Sequence, residues 1–274
     1  MLRFAVAGVP LSTPRPGGTV VGMKHAASLG IRAMEIEWVQ AVPTNIARME
    51  EIRRTAEEHD IALTVHAPYY VNFNSSKVET YNASIRRVLS ALSMGERAGA
   101  RSVCVHAAFY AGNPAKAHDG VRRAVDTIMQ SKQKLFPHGN LALETMGKLS
   151  QWGSLEEVLA VSKEFGIFPC IDSAHMHART NGAWNTAKEW NTLFDEYESH
   201  LGTGSLKTMH MHYCGIAYGE RGEKHHLPLL ESDANWMDFL HVLKNREIGG
   251  NLVIESPILE GDTLLLQNAF AKLQ

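Results

Sequence analysis

Apolar positions along this chain fall into short runs, and between the runs they recur at helical spacing. Leu2 to Val9 is a run closed by Gly8 and Pro10, and Thr19 to Leu29 is helical up to Gly30. Ala33 to Trp38 alternates, with Glu35 and Glu37 on one face, which predicts a strand. Ile46, Met49, Ile52 and Ala56 then mark a helix up to His59, and Leu63 to His66 is a run stopped by Pro68. A polar loop, 71–76, leads to Ser76 and Glu79, whose spacing predicts a capping box. The helix it starts carries Tyr81, Ile85, Val88, Leu89 and Leu92 and ends at Gly99. The alternation continues with strands at Ser102–His106, Leu141–Glu144, Phe168–Asp172, Thr208–Tyr213 and Asn251–Glu255. Helices are predicted from Asn113–Pro114 to about Leu135, and over Leu155–Phe165, Trp184–Leu201, Asn235–Leu243 and Asp262–Leu273.

Short apolar strands without strict alternation suit a sheet covered on both faces. Regular exchange of strands and helices implies parallel pairing. Eight such units, with no linker or break in composition, predict one α/β domain over residues 1–274, a (β/α)8 barrel. A doubly wound open sheet fits less well, because no glycine-rich phosphate loop follows any strand.

Composition adds bounds. The chain has 274 residues, 45% hydrophobic and 20% charged, with a formal net charge of −2, so bulk charge does not advertise a nucleic-acid binder. No apolar run is long enough for a membrane span and the N-terminus lacks the pattern of a signal peptide. Three widely spaced cysteines, Cys104, Cys170 and Cys214, read as reduced thiols of a cytoplasmic protein.

The chemistry sits at the strand ends. Strands three to six finish in His66, His106, Glu144 and Asp172, strand seven carries His210, and strand eight ends in Glu255. A lone histidine or glutamate at a strand end is most often a satisfied polar residue. Six consecutive strands ending in such groups point instead to metal ions at the C-terminal mouth, where barrel active sites lie. His175 follows one turn beyond Asp172, and Glu223 and His225 come from the glycine-punctuated loop after strand seven. His212 shares a face with His210, nearer the rim, and spacing alone does not choose between His225 and His226. A catalytic zinc takes about three protein ligands. Nine candidates therefore imply two or three ions with a bridging carboxylate, and a metallohydrolase acting on a phosphoester.

These residues resemble the endonuclease IV family (AP endonuclease family 2), among the xylose isomerase-like barrels. The matching motifs are Val65-His66-Ala67-Pro68-Tyr69, Val105-His106, Leu143-Glu144-Thr145 and Ile171-Asp172-Ser173-Ala174-His175. They continue with Met209-His210, Glu223-Lys224-His225-His226 and Glu255-Ser256-Pro257, and Ala7-Gly8-Val9-Pro10-Leu11-Ser12 is similar to the family's start. The resemblance implies three divalent ions, zinc first, with manganese as the alternative at the third. It implies that His66, His106 and Glu144 hold the first, that Glu144, Asp172, His210 and Glu255 hold the second, and that His175, Glu223 and His225 hold the third. Glu223 stands where the family has Asp. Glu255 and Glu144 are the implied catalytic residues, with Glu255 orienting or deprotonating the attacking water. The implied activity is hydrolysis of the phosphodiester 5′ to an abasic site in damaged double-stranded DNA, with no membrane and no obligate protein partner. Tyr69 is the implied aromatic at the lesion. Lys148, Arg179 and Arg221, in loops after strands five to seven, are candidates for phosphate contact. A single-metal sugar isomerase or epimerase of the same fold is the alternative, and it would need only the quartet Glu144, Asp172, His210 and Glu255.

Overall fold

A computed structural model describes residues 1–273. Eight parallel strands close into a barrel: β1 (Leu2–Ala7), β2 (Ala33–Glu37), β3 (Ala62–His66), β4 (Val103–Val105), β5 (Leu141–Glu144), β6 (Phe168–Asp172), β7 (Met209–Tyr213) and β8 (Gly250–Ile254). Each pairs with its sequence neighbour, and β8 closes on β1 in register Leu2↔Gly250 to Val6↔Ile254. The predicted fold is the observed one. Nine α-helices lie among the described residues: α1 (Thr19–Ser28), α2 (Ile46–Glu58), α3 (Val78–Ala98), α4 (Pro114–Leu135), α5 (Leu155–Phe165), α6 (Ser173–Arg179), α7 (Ala187–Leu201), α8 (Trp236–Asn245) and α9 (Glu260–Lys272).

Local chemistry explains most of the boundaries. Asn45 and Asn113 accept from the backbone N–H three residues on and start α2 and α4, the latter with Pro114 in its first turn. Ser154 and Glu157 cap α5 reciprocally, and left-handed Gly99 and Gly166 end α3 and α5. The predicted capping box at Ser76 does not form: α3 starts one residue later, after Lys77, without a side-chain cap. Between strands and helices lies a continuous apolar layer, including Val65, Val88, Leu92, Val121 and Ile128 on one side of the barrel. Trp190, Phe194, Phe239 and Leu252 fill the other side.

Two elements at the mouth differ from the sequence expectation. The glycine-punctuated stretch after β7 is not an open loop but an antiparallel hairpin, Gly215–Gly219 paired with Gly222–Leu227. Between β6 and α7 the chain makes the extra helix α6. Asp172 produces it: the last residue of β6 is also the N-cap, its Oδ1 accepting from the His175 N–H at 2.7 Å.

Candidate metal centre

Glu144 is the hub of the mouth. It is fully buried and splits its two oxygens between two groups. Oε2 lies 2.9 Å from His106 Nε2 and 3.3 Å from His66 Nε2, and those two nitrogens are 3.3 Å apart. Oε1 turns the other way, 3.2 Å from His175 Nδ1 and 3.5 Å from His212 Nδ1. Ligand atoms of Glu144, Asp172, His212 and Glu255 all lie within 4.8 Å of one another, and so do those of His175, Glu223 and His226. The sequence-predicted His66, His106, Glu144, Asp172, His175, Glu223 and Glu255 are thus brought together.

His210 and His225 are not. His210 sits deeper in the barrel, its Nε2 2.9 Å from Glu35 Oε2 and its Nδ1 3.0 Å from Ser102 Oγ. His212 takes the place expected of His210 beside the carboxylates. Strand period put both imidazoles on the inner face, but a residue's height in a barrel also depends on strand tilt and stagger, which the sequence does not carry. His225 is exposed on the hairpin, and the reason is a bulge. Tyr218 pairs with Glu223 and Ala217 with His225, so two residues of one strand advance against one of the other, and Lys224 is the extra one. The inserted residue reverses the alternation. Glu223 and His226 therefore share the side facing α6, and His225 turns outward.

Arg179 is turned onto the protein. Its guanidinium donates to the carbonyls of Met146 (3.2 Å), Lys148 (2.9 Å) and Gln151 (3.2 Å) and to the Tyr110 hydroxyl (3.1 Å). It shapes the loop after β5, with Nη1 wholly engaged by carbonyls. Lys148 does line the mouth cavity, about 290 Å³ in volume, with His66, Tyr69, Phe109, His226 and Glu255. Arg221 is exposed beside it, and its carbonyl accepts from the Leu149 N–H. Tyr69 stands over the first group, its ring 5.1 Å from that of His66 and 5.2 Å from that of His106.

Two buried groups and one half-buried group beside the site carried no assigned role in the sequence. Glu35 lies between both β7 imidazoles, with Oε1 2.9 Å from His212 Nε2. Cys104 donates to Glu144 Oε2 at 3.0 Å. Glu37 is partly buried, with its Oε1 sealed from solvent, and acts on His66 through its charge. The alternation of Glu35 with Glu37 on β2 was the available signal, since charged residues on the inner face of a barrel strand need a partner.

The electrostatics are those of buried opposite charges. Burial pushes the Glu144 carboxyl up, but His106 and His212 outweigh it and hold it well below the usual carboxylate range. Burial pulls the His66 imidazole down, yet Glu144, with Glu37 and Glu35, pushes it up to about 10. Glu37 goes the other way: burial dominates the attraction of His66 and raises it to about 8. Burial also raises Glu255.

The donor set fits divalent ions. Glu144 Oε1, Asp172 Oδ2 and His212 Nδ1 are buried, converge, and have no hydrogen-bond partner. Orphaned polar atoms of this kind call for an ion or water. Three imidazoles, His66, His175 and His226, donate Nδ1–H to the carbonyls of Ala67 (2.8 Å), Thr145 (3.0 Å) and Glu255 (3.0 Å). A carbonyl only accepts, so once a ring has given up its second proton to an incoming ion its Nε2 lone pair faces the cavity, an arrangement usual for metal-ligating histidines.

Known proteins share this framework. The family model described as xylose isomerase-like TIM barrel matches residues 23–270. A protein of uncharacterised function from Methanocaldococcus jannaschii is 32% identical over 274 residues, covering 100% of this chain and 98% of its own. A probable endonuclease 4 of Geobacillus kaustophilus is 26% identical over 220 residues, covering 74% of this chain and 70% of its own. Among solved structures, endonuclease IV from Thermus thermophilus superposes with a TM-score of 0.74 at 18% identity, over 98% of this chain and 99% of that one. A D-tagatose 3-epimerase-like protein gives 0.71 at 18% identity, over 98% and 96%. These two likenesses concern the fold, which nucleases and epimerases have in common. No described helix is long and apolar enough to cross a membrane. The chain, similar in its motifs to endonuclease IV, belongs to the xylose isomerase-like TIM barrel family.

Proposed function

We propose that this protein is a metal-dependent endodeoxyribonuclease that hydrolyses the phosphodiester 5′ to an abasic site in double-stranded DNA. The observation that supports it is the division of Glu144, with Oε2 turned to His66 and His106 and Oε1 turned to the second group. A carboxylate shared in this way, with a third group at His175, Glu223 and His226, gives more ligands than a one-metal enzyme uses. In this reading His66, His106 and Glu144 hold the first ion, and Glu144, Asp172, His212 and Glu255 the second. Zinc suits both sets, with manganese the alternative at the third. Such ions polarise phosphoryl oxygens and make water acidic enough to attack near neutral pH. Glu255, at the cavity wall, orients the attacking water and takes up its proton. Tyr69 packs on the lesion, where no base has to be unstacked. Lys148 and Arg221 meet flanking phosphates, while Arg179 keeps the Lys148 loop in shape.

A duplex with one abasic site, incubated with and without chelator, tests the proposal. A chelator-sensitive nick on the 5′ side, with two or three ions per chain, is the expected result. Absence of the nick, together with turnover of a ketose and one ion per chain, would establish the epimerase reading instead. That second reading draws on the quartet Glu144, Asp172, His212 and Glu255, which is enough for one ion.

A further inference from the structure

Layers inside a (β/α)8 barrel are filled from alternate strands, mostly by branched apolar side chains. The layer under the mouth of this barrel is different. It holds Glu35 of β2, Cys104 of β4, Cys170 of β6 and His210 of β7, with His212 adjoining from the level of the mouth carboxylates, none more than 2% exposed. Cys104 Sγ, Cys170 Sγ and a ring nitrogen of His212 lie within 4.8 Å of one another. Between the two cysteine strands β5 contributes Ala142, packed with both cysteines, and Glu144, whose Oε2 accepts from the Cys104 thiol at 3.0 Å. Glu35 Oε1 and His212 Nε2 are 2.9 Å apart, yet neither atom has an aligned hydrogen-bond partner. Polar atoms sealed away from water and left unaligned point to something that binds them.

We propose that Cys104, Cys170 and the His212 imidazole form a further cation position one layer below the mouth, a thiolate-rich site for a soft ion of the zinc class. Two sulfurs and a nitrogen select such an ion over magnesium, calcium or manganese, which prefer oxygen. Binding exchanges two S–H bonds for two sulfur–metal bonds and adds one bond to a His212 ring nitrogen; the two thiol protons pass to solvent, and with the second mouth ion also bound on the other ring nitrogen the His212 N–H proton follows them. Zinc–sulfur bonds of about 2.3 Å require the three donors to draw in by small rotamer changes. Glu35 flanks the position as a fourth group. Neither cysteine lines the mouth cavity, so an ion held there is shielded from solvent. The inference shares His212 with the second ion of the proposed centre but asks nothing of the substrate, so its test is separate from that of the nuclease reading.

The test uses the full chain folded with cobalt(II) as the probe and then dialysed against EDTA in the native state. The expected result is one retained cobalt per chain with thiolate-to-cobalt charge-transfer absorption in the near ultraviolet. That cobalt is released on unfolding in denaturant. A Cys104→Ser/Cys170→Ser double variant is expected to lose both the ion and the band. A His106→Ala/Glu223→Ala variant, altered only at the mouth, is expected to keep both while losing any nicking of abasic DNA. Survival of the band in the double cysteine variant overturns the proposal. If that variant does not fold, wild-type protein decides alone. Cobalt bound without a near-ultraviolet band, or no chelator-resistant metal released on unfolding, leaves only buried thiols and overturns the proposal equally.

Discussion

Two sides of the mouth are built by different means. His66, His106 and Glu144 come from the ends of β3, β4 and β5, strands whose backbones pair with a neighbour on each side. His175, Glu223 and His226 come from a seven-residue helix and from a hairpin standing outside the barrel. The strand-borne side inherits its geometry from the barrel. The hairpin side has to be tied down. Tyr218 donates to Asp233 at 2.5 Å, Asp233 meets His177 of α6 at 3.0 Å, and the Glu223 N–H donates to the Gly147 carbonyl at 3.2 Å. Gly147 allows this approach, since a Cβ there would lie 2.7 Å from that of Glu223. The lesson is that ligands of equal chemistry are not held equally firmly.

The largest effect is expected at the shared carboxylate. Glu144→Ala removes a ligand from two proposed ions at once and leaves buried imidazoles facing one another. It is expected to empty both positions and to lower nicking by about 10³-fold or more, the scale of several kcal/mol of charge stabilisation. Metal analysis beside the nicking rate checks it, and an unchanged metal count would count against the bridge. Next is the β7 pair. His212→Ala is expected to lose the second ion outright. His210→Ala should weaken metal affinity by about 10- to 100-fold, as changes behind a ligand do. Titration of both variants with zinc against a competing chelator separates them, and equal losses would contradict the layering.

On the hairpin side the effects are smaller. His226→Ala is expected to lower occupancy of the third position alone, and His225→Ala to leave it unchanged, as read by ions per chain. Loss of the third ion in His225→Ala would mean that the bulge at Lys224 is misplaced.

The mildest prediction concerns pH. In the ion-free protein the His66 imidazole is raised to about 10 from an ordinary 6.5. Its contribution to stability is then fully present below the lower value and is lost as pH rises through the upper one. A bound ion requires His66 neutral, which removes that loss and favours binding at higher pH. The gain in Tm on adding zinc is therefore expected to grow between about pH 7 and about pH 9. Thermal melts of ion-free and zinc-loaded protein across that range check it. A gain that shrinks with pH would show that His66 is no ligand.

The barrel, and the kinds of side chain that end its strands, were legible in the order of residues alone. Apolar periodicity, glycine stops and asparagine or serine caps act over a few residues, so eight strand–helix units and the groups at their ends could be read directly. The charge alternation of Glu35 and Glu37 was legible too, but not its meaning, because the partners of Glu35 lie about 175 residues away on β7. The folded barrel places His212, not His210, beside the carboxylates, because strand tilt and stagger set which layer meets them. Folding chose between His225 and His226 through one inserted residue in the hairpin, which reverses the side a strand residue faces. It also drew Arg179 away from solvent onto three carbonyls, a choice made by the shape of a loop. Residue type and period are local properties, whereas layer, parity and partnership exist only once distant segments have met.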